Sequence, residues 1–398
     1  MSIFGVWMWS KAIRLLGAEK VVNYCVRAKV TDIYFLTKGL QGTTAYLGEI
    51  APASCERDML QELLDEAHKY NIRVHAWFTC SFDGHYKELY PESGRCHYTR
   101  GKDKDLINLA NEGYIDYMVR ITREMCQKYD IDGFHLDYIR YNHMLYGWAE
   151  EDIARYEAEG ADIAHLRSLI EREFINEKKE DNLMVDSFHA GDESVLAFAR
   201  TRRNDVVKFA KALCAAAREV KPEIILTAAL MPEGAFDDVA YADLHYGQNY
   251  EDASKIYDYL LPMAYTKAYH VESPWMKTIA ENTLKHGIPA VMGIHAYDEG
   301  TCKSMQDDIA AMDGCAIDGI CLFRDGSTAM AYADGKKLTI VNTLDETITK
   351  VIAMCGDDTF EIDTEIVFGD EKSFDLPFET DCLRVFTGEA ESLAYLTK

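Results

Sequence analysis

The run "DIDGFHLDYIRY", Asp130 to Tyr141, sets a histidine, an aspartate and an arginine inside an otherwise apolar stretch. Burying an unpaired carboxylate costs on the order of several kcal/mol or strips its charge, so Asp137 calls for a paired cation or a polar pocket. Strand side chains alternate between faces. Phe134, Leu136 and Tyr138 therefore share one face, while His135 and Asp137 share the other. The same parity in "IRVHAWFT" sets His75 and Trp77 against Val74, Ala76 and Phe78, and in "IPAVMGIHAY" it pairs His295 with Tyr297. An aspartate ringed by Trp, Tyr and His suits a ligand with flat apolar faces and polar edges, as a sugar ring has.

Beside Asp137, the first choice for a second carboxylate is Glu233 in "LMPEG"; Asp83, Asp298 and Glu299 are competing candidates. His75, Trp77, His135, Arg140, Tyr265, His295 and Tyr297 form the expected substrate-shaping set. Structural readings stand beside these. Asp137 could be salt-bridged to Arg140 or Arg324, Glu233 could be a solvated loop residue, His75 and Trp77 could be core residues, and Gln248 could be a plain loop polar group.

These residues need elements to hold them. Eight strand-like runs alternate with amphipathic segments: Ile3 to Trp9, Thr31 to Thr37, Ile72 to Thr79, Ile131 to Tyr138, Glu223 to Met231, Tyr257 to Tyr265, Ile288 to Tyr297 and Ile317 to Arg324. Between them, "RDMLQELLDEAHKYN" and "NDVVKFAKALCAAAREVKP" repeat apolar residues every three to four positions, as outer helices do. Eight such units fit an α/β (β/α)₈ barrel, whose active sites lie at the C-terminal ends of the strands. The first turn lacks the GxGxxG of a dinucleotide-binding sheet. The connection from about Asn142 to Arg200 is far longer than an ordinary βα loop and reads as a lid or cleft wall. Beyond Gly326 the pattern turns to short β-rich runs. The expected division is a barrel over 1–326, a join at Ser327 to Gly335 and a small β-sandwich-like domain over 336–398.

The run "DGFHLDYIRY" closely resembles the "DGIHLDYIRYP" signature of a bacterial glycosyl hydrolase 10-like barrel family. Supporting matches in "EAHKYNIRVHAWF", "RRNDVVKFAKAL" and "YDYLLPMAYT" follow in the family's order. The resemblance spans about Gly5 to Gly326 and implies hydrolysis of a glycosidic bond in an oligo- or polysaccharide, including cell-wall glycans. Such cleavage ordinarily takes two carboxylates, one as acid and one as nucleophile or base, which makes Asp137 the expected nucleophile and Glu233 the expected acid and base. Asn142 replaces the family's usual proline, and the long insertion follows it. A weaker likeness joins the motif to the "GFRLD" stretch of α-amylase-type barrels, whose aspartate is the nucleophile; His135 stands where those have arginine. Two other readings remain: a carbohydrate-binding barrel without turnover, and a lyase or isomerase using His135 or His295 as base.

Composition narrows the partners. A net charge of −25 over 398 residues opposes phosphate-backbone binding, so nucleic acid is not expected. No run of 18 apolar residues and no leader pattern in "MSIFGVWMWSKAIRLLG" points to a membrane; the expectation is a cytoplasmic protein, or a secreted one if a leader has been removed. Eleven cysteines without a CxxC pair read as reduced thiols, and twelve histidines without HExxH indicate neither a metal nor a cofactor.

Overall fold

The structure is a computed structural model that describes residues 2–297, 300–324 and 326–397. Eight parallel strands form its first sheet: β1 (Ile3–Met8), β2 (Asp32–Lys38), β3 (Arg73–Thr79), β4 (Gly133–Asp137), β5 (Ile225–Leu230), β6 (Tyr259–Pro262), β7 (Val291–His295) and β8 (Gly319–Phe323). Their order is β6-β5-β4-β3-β2-β1-β8-β7. The ends meet at a single Leu260–Ala290 bridge, where the Leu260 N–H donates to Pro289 O at 3.0 Å. The sheet thus nearly closes as a (β/α)₈ barrel, with every strand within three residues of its expected limits.

Outward residues such as Ile33, Phe35, Val74, Phe78, Phe134 and Leu136 are buried beneath the outer helices in one continuous core. A smaller interior cluster joins Trp7, Tyr34, Trp77, Leu261 and Cys321. Below it, Asp32 accepts from Arg73 Nε at 2.8 Å and lies 2.8 Å from His75 Nε2. Burial alone would push the Asp32 carboxyl up, but His75 and Arg73 bring it down to about 2. Gly133 leaves room for this arrangement, since a Cβ there would sit 1.9 Å from His75 Nδ1.

The insertion after β4 folds as helices Glu150–Ala158, Ile163–Ile170 and Leu183–His189, and the long helix Glu193–Val220 begins inside its span. Trp148, Tyr156, Leu166 and Phe198 build a separate core that also takes in Leu244. Arg202, fully buried, ties this body to the barrel. Its guanidinium donates to the carbonyls of Tyr146 (2.7 Å), His143 (3.0 Å) and His245 (3.1 Å) and lies 3.8 Å from the Tyr141 ring centre.

The C-terminal unit is one seven-stranded sheet: β9 (Thr328–Asp334), β10 (Lys337–Val341), β11 (Ile348–Cys355), β12 (Asp358–Ile366), β13 (Glu371–Asp375), β14 (Cys382–Thr387) and β15 (Ala390–Thr397). The order is β12-β11-β14-β15-β9-β10-β13. One detail differs from the sequence reading: the expected join at Ser327 to Gly335 contains β9, so the unit begins at Thr328. Strand β15 links two halves, pairing with β14 through residues 390–392 and with β9 through residues 393–397, and one core takes in Ala331 and Ile340 from one half and Val351 and Leu383 from the other. The small side chains of "TAMAYAD" resemble a linker until their partners are known: Ala329 and Ala331 are buried between β10 and β15.

Candidate active site

A cavity of about 510 Å³ opens at the C-terminal ends of the barrel strands. Asp137, the last residue of β4, lies on its floor at 5 % exposure. Its Oδ1 accepts from the Tyr138 N–H at 2.6 Å, its Oδ2 accepts from Trp77 Nε1 at 3.2 Å, and Arg140 Nη1 lies 3.5 Å away. Burial pushes the Asp137 carboxyl above its ordinary value, against the charge of Arg140 and these donors. The chain turns sharply here. Tyr138 has φ +51°, a left-handed conformation that costs a non-glycine residue about 1–2 kcal/mol. The ring it carries lines the cavity and lies 4.5 Å from the Arg140 guanidinium.

Glu233 lines the same cavity from a single 3₁₀ turn, Pro232–Ala235, just past β5. Its Oε2 accepts from the Tyr269 hydroxyl at 2.9 Å and its Oε1 from Tyr246 at 3.4 Å. Burial raises this carboxyl too, opposed by its own backbone, the two phenols and the charge of Arg140. The two carboxylates therefore differ in what holds them. Asp137 meets N–H donors, which cannot reverse and so favour an anion, whereas Glu233 meets hydroxyls, which donate to a carboxylate or accept from a carboxylic acid.

Gln248 joins the two loops. Its Oε1 accepts from the Met231 N–H at 3.1 Å and its Nε2 donates to Ile139 O at 2.9 Å, so it is a clamp and not an idle loop residue.

Trp77, Arg140, Tyr265 and Tyr297 of the expected set line the cavity with Asp137 and Glu233. Three histidines do not. His75 is bonded to Asp32 and stacked on Tyr34 at 4.4 Å, in register with Gly133 well below the floor. His135 accepts from Trp7 Nε1 at 3.0 Å, which leaves its Nδ1–H to donate to Thr227 Oγ1 at 2.9 Å. Burial and the nearby His75 hold it well below the ordinary histidine value, as a neutral strut under Trp7 and a poor candidate for a base. His295 sits behind Tyr297, ring centres 4.0 Å apart and nearly parallel. Among the competing carboxylates, Asp83 is fully buried, 2.9 Å from Lys38 Nζ, and caps the helix Gly84–Leu89, away from the cavity. Asp298 and Glu299 lie outside the described residues.

Much of the wall was not anticipated: Trp7 from β1 and Trp9 just after it, Phe323 from β8, Tyr241 from the short helix Ala240–His245, and Tyr138, Tyr246 and Tyr269 from loops. The parity used on β3 and β4 finds Trp7 and Trp9 when applied to "IFGVWMW"; the loop tyrosines carry no periodic signal. Among the described residues, none from 142–200 lines the cavity. The insertion is thus not the expected lid. Its apolar faces are spent on its own core and on the helix Ala240–His245, which carries Tyr241.

Among the described residues no group of three or more His, Cys, Asp or Glu could hold a metal ion, and no helix is long and apolar enough to cross a membrane.

The profile of the family described as Glycosyl hydrolase-like 10 matches residues 45–298. No curated protein matches the chain. Several solved structures share the fold. The glycoside hydrolase domain of PgaB (BpsB) from Bordetella bronchiseptica aligns with a TM-score of 0.63 at 13% identity, over 82% of this chain and 94% of that one. The β-galactosidase of Marinomonas ef1 gives 0.59 at 13% identity, over 81% of this chain and 54% of that one. The catalytic domain of Paenibacillus polymyxa β-amylase gives 0.55 at 9% identity, over 81% and 92%.

Proposed function

Because this chain belongs to the glycosyl hydrolase-like 10 family, we propose that it hydrolyses a glycosidic bond in an oligo- or polysaccharide, with Asp137 as nucleophile and Glu233 as acid and base. The observation that carries this reading is the pair of carboxylates in one aromatic-walled cavity, one held by N–H donors and the other by hydroxyls. Glu233 protonates the glycosidic oxygen as Asp137 attacks the anomeric carbon, giving a glycosyl ester and releasing the leaving sugar. Glu233 then takes a proton from water, whose oxygen attacks the same carbon and frees Asp137. Two displacements give net retention. Asp137 ends β4 and Glu233 lies three residues past the end of the neighbouring β5, an arrangement that supports the short carboxyl separation of a retaining enzyme.

Aryl glycosides and soluble polysaccharides, screened for released phenol and reducing ends, test the activity. Asp137→Asn is expected to lower turnover by at least about a thousandfold without loss of folding. Glu233→Gln should spare dinitrophenyl glycosides, whose leaving group needs no proton, far more than it spares natural glycans. Proton NMR of the first-formed product should show the retained anomer. An inverted anomer would require another partner carboxylate, and full activity in Asp137→Asn would end the assignment. Binding without any release of reducing ends would leave a carbohydrate-binding barrel.

A further inference from the structure

Three large apolar side chains on the cavity wall are notably exposed: Trp9 at 40 %, Leu40 at 41 % and Tyr241 at 42 %. Their positions follow from the strand order. Trp9 comes directly after β1, and Tyr241 lies on the connection after β5. Counting round the barrel in either direction, four strand steps separate β1 from β5, so the two residues stand on opposite sides of the mouth. Leu40, after β2, extends the Trp9 side.

Each ring is backed on one face. The Arg324 guanidinium carbon lies 3.6 Å from the Trp9 ring centre, and the His245 imidazole stacks on Tyr241 at 4.7 Å and 18°. Trp9 lines both the cavity and a small recess beside it, whereas Arg324 lines only the recess. The guanidinium therefore covers the recess side of the indole and leaves its other side to the cavity. Rings held stiffly from behind yet uncovered in front are apolar surface set aside for a ligand.

We infer that the cavity mouth is a cleft open at two ends, in which Trp9 and Tyr241 each stack one ring of the same glycan, so that the carboxylates cut an internal bond. This inference rests on the glycosidase reading of the same cavity. A sugar ring offers a C–H face that matches an aromatic face. One ring seated on the floor against Asp137 leaves both rim residues bare, while a chain crossing the mouth covers both. An enzyme that trims chain ends would need one of these sides walled off, and both instead present an exposed platform.

The test uses the full chain carrying Asp137→Asn, so that bound glycan persists, in affinity electrophoresis through gels containing β-glucan, xylan, glycol-chitin or amylose, with the matching methyl monoglycosides as competitors. At least one polymer should retard the protein and its monoglycoside should compete poorly. Trp9→Ala and Tyr241→Ala should each weaken retention about tenfold, the scale of one lost ring contact, and Trp9→Phe and Tyr241→Phe should restore most of it. On a polymer that the wild type cuts, viscosity should fall well before reducing ends accumulate. Retention by none of the four polymers, equal competition by a monoglycoside, or indifference to both alanine variants would overturn the cleft. The two readings fail separately. Polymer binding that depends on both rings but comes without hydrolysis refutes the glycosidase and keeps the cleft; hydrolysis of aryl monoglycosides with no polymer retention does the reverse.

Discussion

Arg140 acts on two carboxylates that burial has already raised. Its guanidinium lies 3.5 Å from Asp137, and its charge lowers both Asp137 and Glu233. In the proposed mechanism the free enzyme needs Asp137 ionised and Glu233 protonated. The acid limb of kcat/KM against pH then reports Asp137 gaining a proton, and the basic limb reports Glu233 losing one. Because both groups stand above their ordinary values, both limbs should lie above the usual carboxylate range. Arg140→Gln removes a cation that favours both anions, so both limbs should move to higher pH. A full pH profile on one aryl glycoside checks this. Limbs that stay in place, or that move in opposite directions, would take Arg140 out of the pair's electrostatics.

Among the elements, the helix Glu193–Val220 serves two bodies: its first turns close the insertion's core and its later turns cover the barrel. Arg202 sits where the two meet, sandwiched between Tyr141 and Phe198. Arg202→Lys keeps the charge but loses the planar fork that reaches three carbonyls, and it should cost about 2–4 kcal/mol in urea unfolding. A loss under about 0.5 kcal/mol would mean that the insertion is held by its apolar core alone. This region also marks the limits of sequence reading. Amphipathic spacing correctly announces that the insertion's helices bury a face, but it does not say against what, and the lid reading failed there. The barrel strands were legible because each buries a short apolar run between turn residues. The inward direction of His75 and His135 was legible as well, but their depth was not. Height in a barrel depends on the register between strands: His135 is level with Trp77, and Asp137 with Thr79 one layer higher. Trp77 reaches the cavity from that lower level because its indole is long enough to donate to Asp137.

For the molecule as a whole, the barrel and the C-terminal sheet meet through Phe4 against Tyr395, with ring centres 5.1 Å apart, and through the ion pairs Lys11–Asp345, Lys20–Asp370 and Arg27–Glu371. Those pairs are exposed and contribute about 0–1 kcal/mol each. The sheet's integrity rests elsewhere. Strand β15 lies between β14 and β9, pairing antiparallel with one and parallel with the other. Deleting Ala390–Thr397 should therefore split the sheet into two unpaired halves and make residues 328–389 sensitive to protease while the barrel persists. Limited proteolysis followed by mass spectrometry would show it, and an equally resistant C-terminal unit would contradict the central role of β15.

The closure of the barrel also has a consequence in time. Strand β1 finds one neighbour, β2, soon after it is made, but its other neighbour is β8, Gly319–Phe323. At synthesis rates of about 5–20 residues per second, that second edge waits roughly 15–60 s on the ribosome before its partner exists. Throughout that interval the nascent chain carries an open strand edge next to the indoles of Trp7 and Trp9, and the barrel cannot close before residue 323 has emerged. The same long-range pairing that sets two tryptophans in the wall of the cavity therefore leaves the half-made protein dependent on whatever shields a bare edge during translation.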